Sequence, residues 1–259
     1  MFFYFKIMRS IVYQNLSLFF KVFLGKLIDI SLWALISLFV TTYILPKMGL
    51  IDNYGLVQFA GILATVGMFE AYSAVYPFIA DLDGKQMIYH ELGFPIPSIC
   101  LFVSKLIAKA ISFILLTLCM IPISKCLLWN IIFLENFNWF YLTVIIVSAN
   151  IFFASMSFII IGFIKNMTKM DHVWYRFIFP IWFMGGFQFS WKYLYQTNQF
   201  IAYLDLFNPI IYINEAFKIA ILKEPGLCSF WLCILIIFLF SLFCFYLGYI
   251  RLKKRLDFI

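Results

Sequence analysis

The chain has 259 residues, of which 65% are hydrophobic and 12% charged, and it carries a formal net charge of +7. A soluble domain is near half apolar and a quarter charged, so this composition excludes a water-soluble globular protein and points to a polytopic membrane protein. The positive charge then reads as membrane topology and attraction to anionic headgroups, with no nucleic-acid partner expected.

Residues 1–26 come first. Lys6, Ser10, Gln14, Ser17 and Lys21 recur every three or four positions, and Phe3, Ile7, Ile11, Leu18 and Val22 lie largely off that stripe. This pattern predicts an amphipathic helix in the inner interface, not a cleaved signal peptide. A cytoplasmic extension of the first span is the other reading. The rest of the chain, 27–259, is expected to be one transmembrane domain.

A span needs about 20 apolar residues. Six stretches qualify, near 28–45, 56–79, 99–122, 139–163, 177–195 and 229–250. The fifth is the least regular, with Pro180 near its start and Gly185-Gly186 in its middle. No repeat and no long linker divides the chain. If both termini are placed inside, fourteen Lys and Arg fall on inside segments and five outside. The excess of inside cations predicts a cytoplasmic (inner) membrane protein with both termini in the cytoplasm.

Chemistry-bearing residues are few. Glu70 lies well inside the second stretch, where an acid usually faces protein or a water-filled path. It reads either as a pathway group or as a structural acid bonded to a neighbouring helix, and no buried Lys or Arg stands out as its partner. The loop after the second stretch holds Asp81, Asp83, Gly84, Lys85, Gln86, Glu91, Leu92, Pro95 and Pro97. Its Gly and Pro residues bracket one or two helical turns, which would make a lever between two spans; an ordinary solvated loop is the alternative. Lys105 and Lys109, one turn apart, are expected to snorkel to inner headgroups.

The six cysteines form no Cys-x-x-Cys pair, and His90 and His172 are far apart. They predict neither a disulfide framework nor a metal or catalytic cluster. Phe187 to Leu227 is long for an outer loop and rich in Trp and Tyr, which suit a gate or stacking surface as well as an interfacial belt. Within it, Asn208 is a good N-cap and Pro209 suits a first helical turn. Glu215 and Lys218 then fall on one face of a short helix.

These pieces resemble the membrane subunit of ABC-2 type exporters. The signature of that family is Asn-Pro, five residues, Glu, two residues, Arg. Here Asn208, Pro209 and Glu215 match in identity and spacing, and Lys218 stands where Arg is usual, keeping the charge without the bidentate fork. Asp83-Gly84, Leu92, Pro95, Pro97, Ser98 and Ser104-Lys105 follow the family order in the first cytoplasmic loop, without its usual Arg-Glu. Met184-Gly185-Gly186-Phe187 resembles its Gly-bearing fifth span.

The resemblance implies an all-α membrane protein: an N-terminal interfacial helix, six transmembrane helices, a cytoplasmic coupling helix between spans two and three, and short re-entrant helices between spans five and six. It implies a transport subunit that moves a glycan, lipid-linked or drug-like substrate. No Gly-x-x-x-x-Gly-Lys-Ser/Thr loop occurs in the sequence, so ATP and Mg would sit on a separate ATPase partner, with a second permease copy completing the pore. An ion- or proton-coupled transporter and a membrane-embedded enzyme are the competing expectations.

Overall fold

The computed structural model describes residues 2–49, 54–81, 84, 87–129, 131–164, 169–223 and 226–257. Among these the regular secondary structure is all helical, with no strand. The long helices are α1 (Phe2–Phe39), α2 (Tyr54–Ser73), α5 (Ser98–Leu127), α6 (Trp139–Phe163) and α12 (Phe230–Asp257). Shorter ones are α3 (Val75–Ala80), α4 (Met87–Leu92), α7 (Met170–Val173), α8 (Phe179–Met184), α9 (Trp191–Thr197), α10 (Gln199–Asp205) and α11 (Pro209–Leu222). Among the described residues, five helical segments are long and apolar enough to cross a membrane.

Two expectations change. Residues 2–39 form one helix of 38 residues, so no helix end separates an interfacial segment from the first span. At 1.5 Å per residue α1 is roughly 57 Å long, nearly twice a hydrocarbon core of about 30 Å. The stretch 177–195 is not a single helix either. Helical structure runs from Met170 to Met184 through a π-helical turn at Trp174–Ile178 and stops at Gly185, and Gly186 has φ +80°. Pro180 supplies no N–H, and a left-handed residue cannot continue the helix. This run is roughly 20 Å long, short of the hydrocarbon core.

α2 and α6 form the buried centre, with α5, α11 and α12 packed around them and α1 lying along α5. Close approach has a local cause: a Cβ on Gly248 of α12 would lie 2.7 Å from the Cβ of Phe158 on α6. Small residues let backbones approach where lipid supplies no hydrophobic drive between helices. Several hydroxyls within the spans turn back on their own helices; Thr65, Ser112, Thr117 and Ser148 each donate to the carbonyl four residues earlier. That satisfies them where water is absent.

The bundle has two distinct ends. At one end Ser98 bonds Tyr249, and Arg255 donates to the carbonyls of Ile161 and Ile164. The starts of α5 and the ends of α6 and α12 therefore meet there. At the other end Tyr43 donates to Leu127 O, Tyr54 to Gln188 O, and the Asn138 N–H to Ala220 O. Helices α9 to α11 belong to this second end.

Candidate functional site

Helix α11 is the most polar buried element at the second end. Asn208 caps it: its Oδ1 accepts from the Ile210 N–H at 3.1 Å, and Pro209 follows at the first helical position. The Asn208 amide also donates to Ile181 O at 2.7 Å and to Asp205 Oδ1 at 3.1 Å. One side chain thus starts α11, ties it to α8 and holds the end of α10.

One and a half turns further on, the same helix meets the broken fifth stretch. Asn214 donates to Gly185 O at 2.7 Å. Lys218 donates to Gly186 O at 3.1 Å and to Phe189 O, and pairs with Glu215 Oε1 at 3.3 Å. Glu215 in turn accepts the Trp191 N–H on Oε1 and the Leu227 N–H on Oε2, both at 3.1 Å. All three side chains are buried. The fit requires glycine, because a Cβ on Gly185 would lie 2.7 Å from the Cβ of Ile210. Carbonyls freed where a helix breaks are costly in a low-dielectric setting. Here an amide and an ammonium satisfy them.

The site therefore brings together Asn208, Pro209, Glu215, Lys218, Gly185 and Gly186. Sequence reasoning missed four participants: Asn214, Asp205 and the backbone N–H groups of Trp191, read there only as an aromatic, and Leu227. Two carried a signal. Asn214 lies four residues before Lys218, on the same helical face, and Asp205 lies three before the Asn208 cap. The backbone donors of Trp191 and Leu227 carried none. Burial pushes the Asp205 carboxyl up to about 6, and the bond from Asn208 pulls the other way.

Glu70 is elsewhere. It forms an ion pair with Lys26 of α1, which also donates to Ser73 Oγ at 3.2 Å. The expectation that Glu70 lacks a basic partner is corrected: 44 residues of sequence separate the two, and α1 brings them together where it passes the end of α2. A cavity of about 430 Å³ beside the pair is lined by Asp29, Trp33 and Phe69.

At the first end the loop residues lie around α4. Asp81 accepts the Ile88 N–H at 2.9 Å, and Glu91 pairs with Lys105 of α5. Leu92 closes α4, Pro95 lies in the bend after it, and Gly84 is exposed. Asp83, Lys85 and Gln86 lie outside the described residues. Lys105 and Lys109 do not snorkel as expected: Lys105 is occupied by Glu91, and Lys109 donates to Ser157 at 3.0 Å, over the Phe158 ring. Asp81, Glu91, Lys105 and Lys109 face a cavity of about 250 Å³ closed by Gln14 and Asn15 of α1.

Compared with models of protein families and with curated proteins, the chain matches none.

Proposed function

We propose that the chain is the permease subunit of an ATP-driven exporter of the ABC-2 type. It would move a glycan, lipid-linked or drug-like substrate, with hydrolysis carried out by a separate ATPase. The observation that carries this reading is the docking of α11 onto the Gly185-Gly186 break by Asn208, Asn214 and Lys218. It folds the residues after the break back against the bundle as a hairpin of short helices. That is the arrangement expected of a re-entrant outer gate.

The first end supports the same reading. Helix α4 is tied to α5 through Glu91 and Lys105 and to the end of α3 through Asp81. A push on this short helix would be passed to two spans together. The ATPase would bind here, with a second permease copy alongside and both termini in the cytoplasm.

An ion- or proton-coupled transporter is the second reading, favoured by the Lys26–Glu70 pair beside its cavity. The two readings part on one experiment: substrate efflux from cells that express the chain with an ATPase partner lacking its catalytic carboxylate. Loss of efflux supports the exporter, and efflux at the wild-type rate sinks it.

A further inference from the structure

Residues 226–229 lead into α12 beside the site. Ser229 acts as the helix N-cap, its carbonyl accepting from the N–H groups of Leu232 at 3.0 Å and Cys233 at 3.1 Å. Cys228 then stands just before the cap and Cys233 at the fourth helical position. Those are the two positions whose side chains meet across a helix start in a hydrophobic staple. Here both are cysteine, and their sulfurs lie 3.1 Å apart. Cys233 is buried and Cys228 half-buried. No other pair of cysteine sulfurs meets in this way among the described residues.

We propose that Cys228 and Cys233 are a thiol pair that oxidises to an intrachain disulfide, stapling the start of α12. This rests on the proposed outer-face placement of this end, since disulfides persist in oxidising compartments. The sulfurs need to approach by only about 1 Å to reach bonding distance. The backbone that carries them is already held by the Ser229 cap and by stacking of Phe230 on Tyr141, with ring centroids 4.1 Å apart.

The oxidant is an external disulfide: a thiol–disulfide oxidoreductase at the outer face or an oxidised small thiol. The Cys228 thiolate, the more accessible of the two, attacks one sulfur of the donor and one donor thiol leaves. The Cys233 thiolate then attacks the Cys228 sulfur and expels the second. Two thiol protons and one electron pair pass to the donor, which ends as two thiols.

The consequence falls on the site. Leu227, next to Cys228, gives its N–H to Glu215. The staple therefore fixes the loop that supplies one of the carboxylate's hydrogen bonds, and reduction loosens it.

The test is alkylation of the purified full chain under denaturing conditions, with and without prior reduction, read by mass spectrometry on the peptide that holds both cysteines. The expected result is no alkylation before reduction, a peptide two hydrogens lighter than its dithiol form, and two additions after reduction. Two additions without reductant overturn the staple. In parallel, Lys125→Cys is labelled in intact cells with a membrane-impermeant maleimide. Free thiols with outside labelling sink the staple alone. A disulfide with Lys125→Cys reached only from inside sinks the exporter topology and leaves the disulfide standing. A third readout is thermal unfolding: reductant lowers the melting temperature of the wild type and leaves that of Cys228→Ser unmoved. Equal shifts in both count against the staple.

Discussion

Lys218 donates to the carbonyl of Gly186 at 3.1 Å, across 32 residues of chain, while its ammonium meets Glu215 at 3.3 Å. One cation thus serves both a broken helix and a buried acid. Lys218→Met would orphan the Gly186 and Phe189 carbonyls and leave the Glu215 charge uncompensated. Removing one partner of a buried pair costs about 3–5 kcal/mol. Thermal unfolding in detergent should show that loss. Adding Glu215→Gln should recover part of it, because the second change removes the stranded charge. A double variant as unstable as the sum of the singles would mean that the two residues do not interact.

The sequence made much of this site legible, for physical reasons. Caps and i,i+3 pairs are local, so Asn208, Pro209, Glu215 and Lys218 could be placed on one short helix. Pro180 and Gly185-Gly186 marked the fifth stretch as irregular, but local chemistry does not say that freed carbonyls will be met by a helix more than twenty residues away. The Lys26–Glu70 pair was invisible for the same reason, since its partners meet only when α1 packs beside α2. Nothing near residue 27 ends the helix; the boundary expected there rests on a change in polarity, which a helix can cross without ending, and a continuous helix is compatible with the other reading, an extension of the first span.

Glycine at 185 is required by space, and this can be separated from helix propensity. Gly185→Ala would place a methyl group 2.7 Å from the Ile210 Cβ, and overpacking of that kind costs about 1–3 kcal/mol. At Gly25 of α1 a Cβ meets nothing within 4 Å, so Gly25→Ala should be neutral or slightly stabilising. Melting temperatures of the two variants should move apart. Equal shifts would show that the close contact at Ile210 relaxes without cost.

The Lys26–Glu70 pair should behave asymmetrically. Glu70 is 5% exposed and Lys26 29%. Lys26→Met leaves a buried carboxylate without its cation, a loss on the order of 2 kcal/mol given the partial exposure of the lysine. Glu70→Gln leaves a cation that still reaches Ser73 and solvent, and should cost less. If transport is driven by ATP, Glu70→Gln should also keep substantial efflux. Abolished efflux in a stably folded Glu70→Gln protein would favour ion coupling.

The pair at α4 tests the lever. Glu91→Gln removes the tie to Lys105 while leaving the spans intact. ATP hydrolysis by the assembled complex should persist while efflux falls several-fold, because force from the ATPase would no longer pass rigidly into α5. Parallel loss of both activities, with normal membrane insertion, would instead assign Glu91 to assembly.

Asp205 sets a pH dependence whose sign follows from its surroundings. It lies in α10, outside the five candidate spans, and one carboxylate oxygen has no hydrogen-bond partner. Burial raises its carboxyl from 3.8 to about 6. Between those values the folded chain binds the proton more tightly than the unfolded chain does, so stability falls as pH rises through this window. The contribution is fully present below about pH 4 and lost above about 6. Asp205→Asn keeps the shape, carries no charge at any pH and still offers an oxygen to Asn208. It should flatten that part of the profile and match or exceed the wild type at pH 7. Melting temperatures of both proteins from pH 4 to pH 8 measure the difference, and parallel curves would mean that the carboxyl is solvated in the membrane-bound protein.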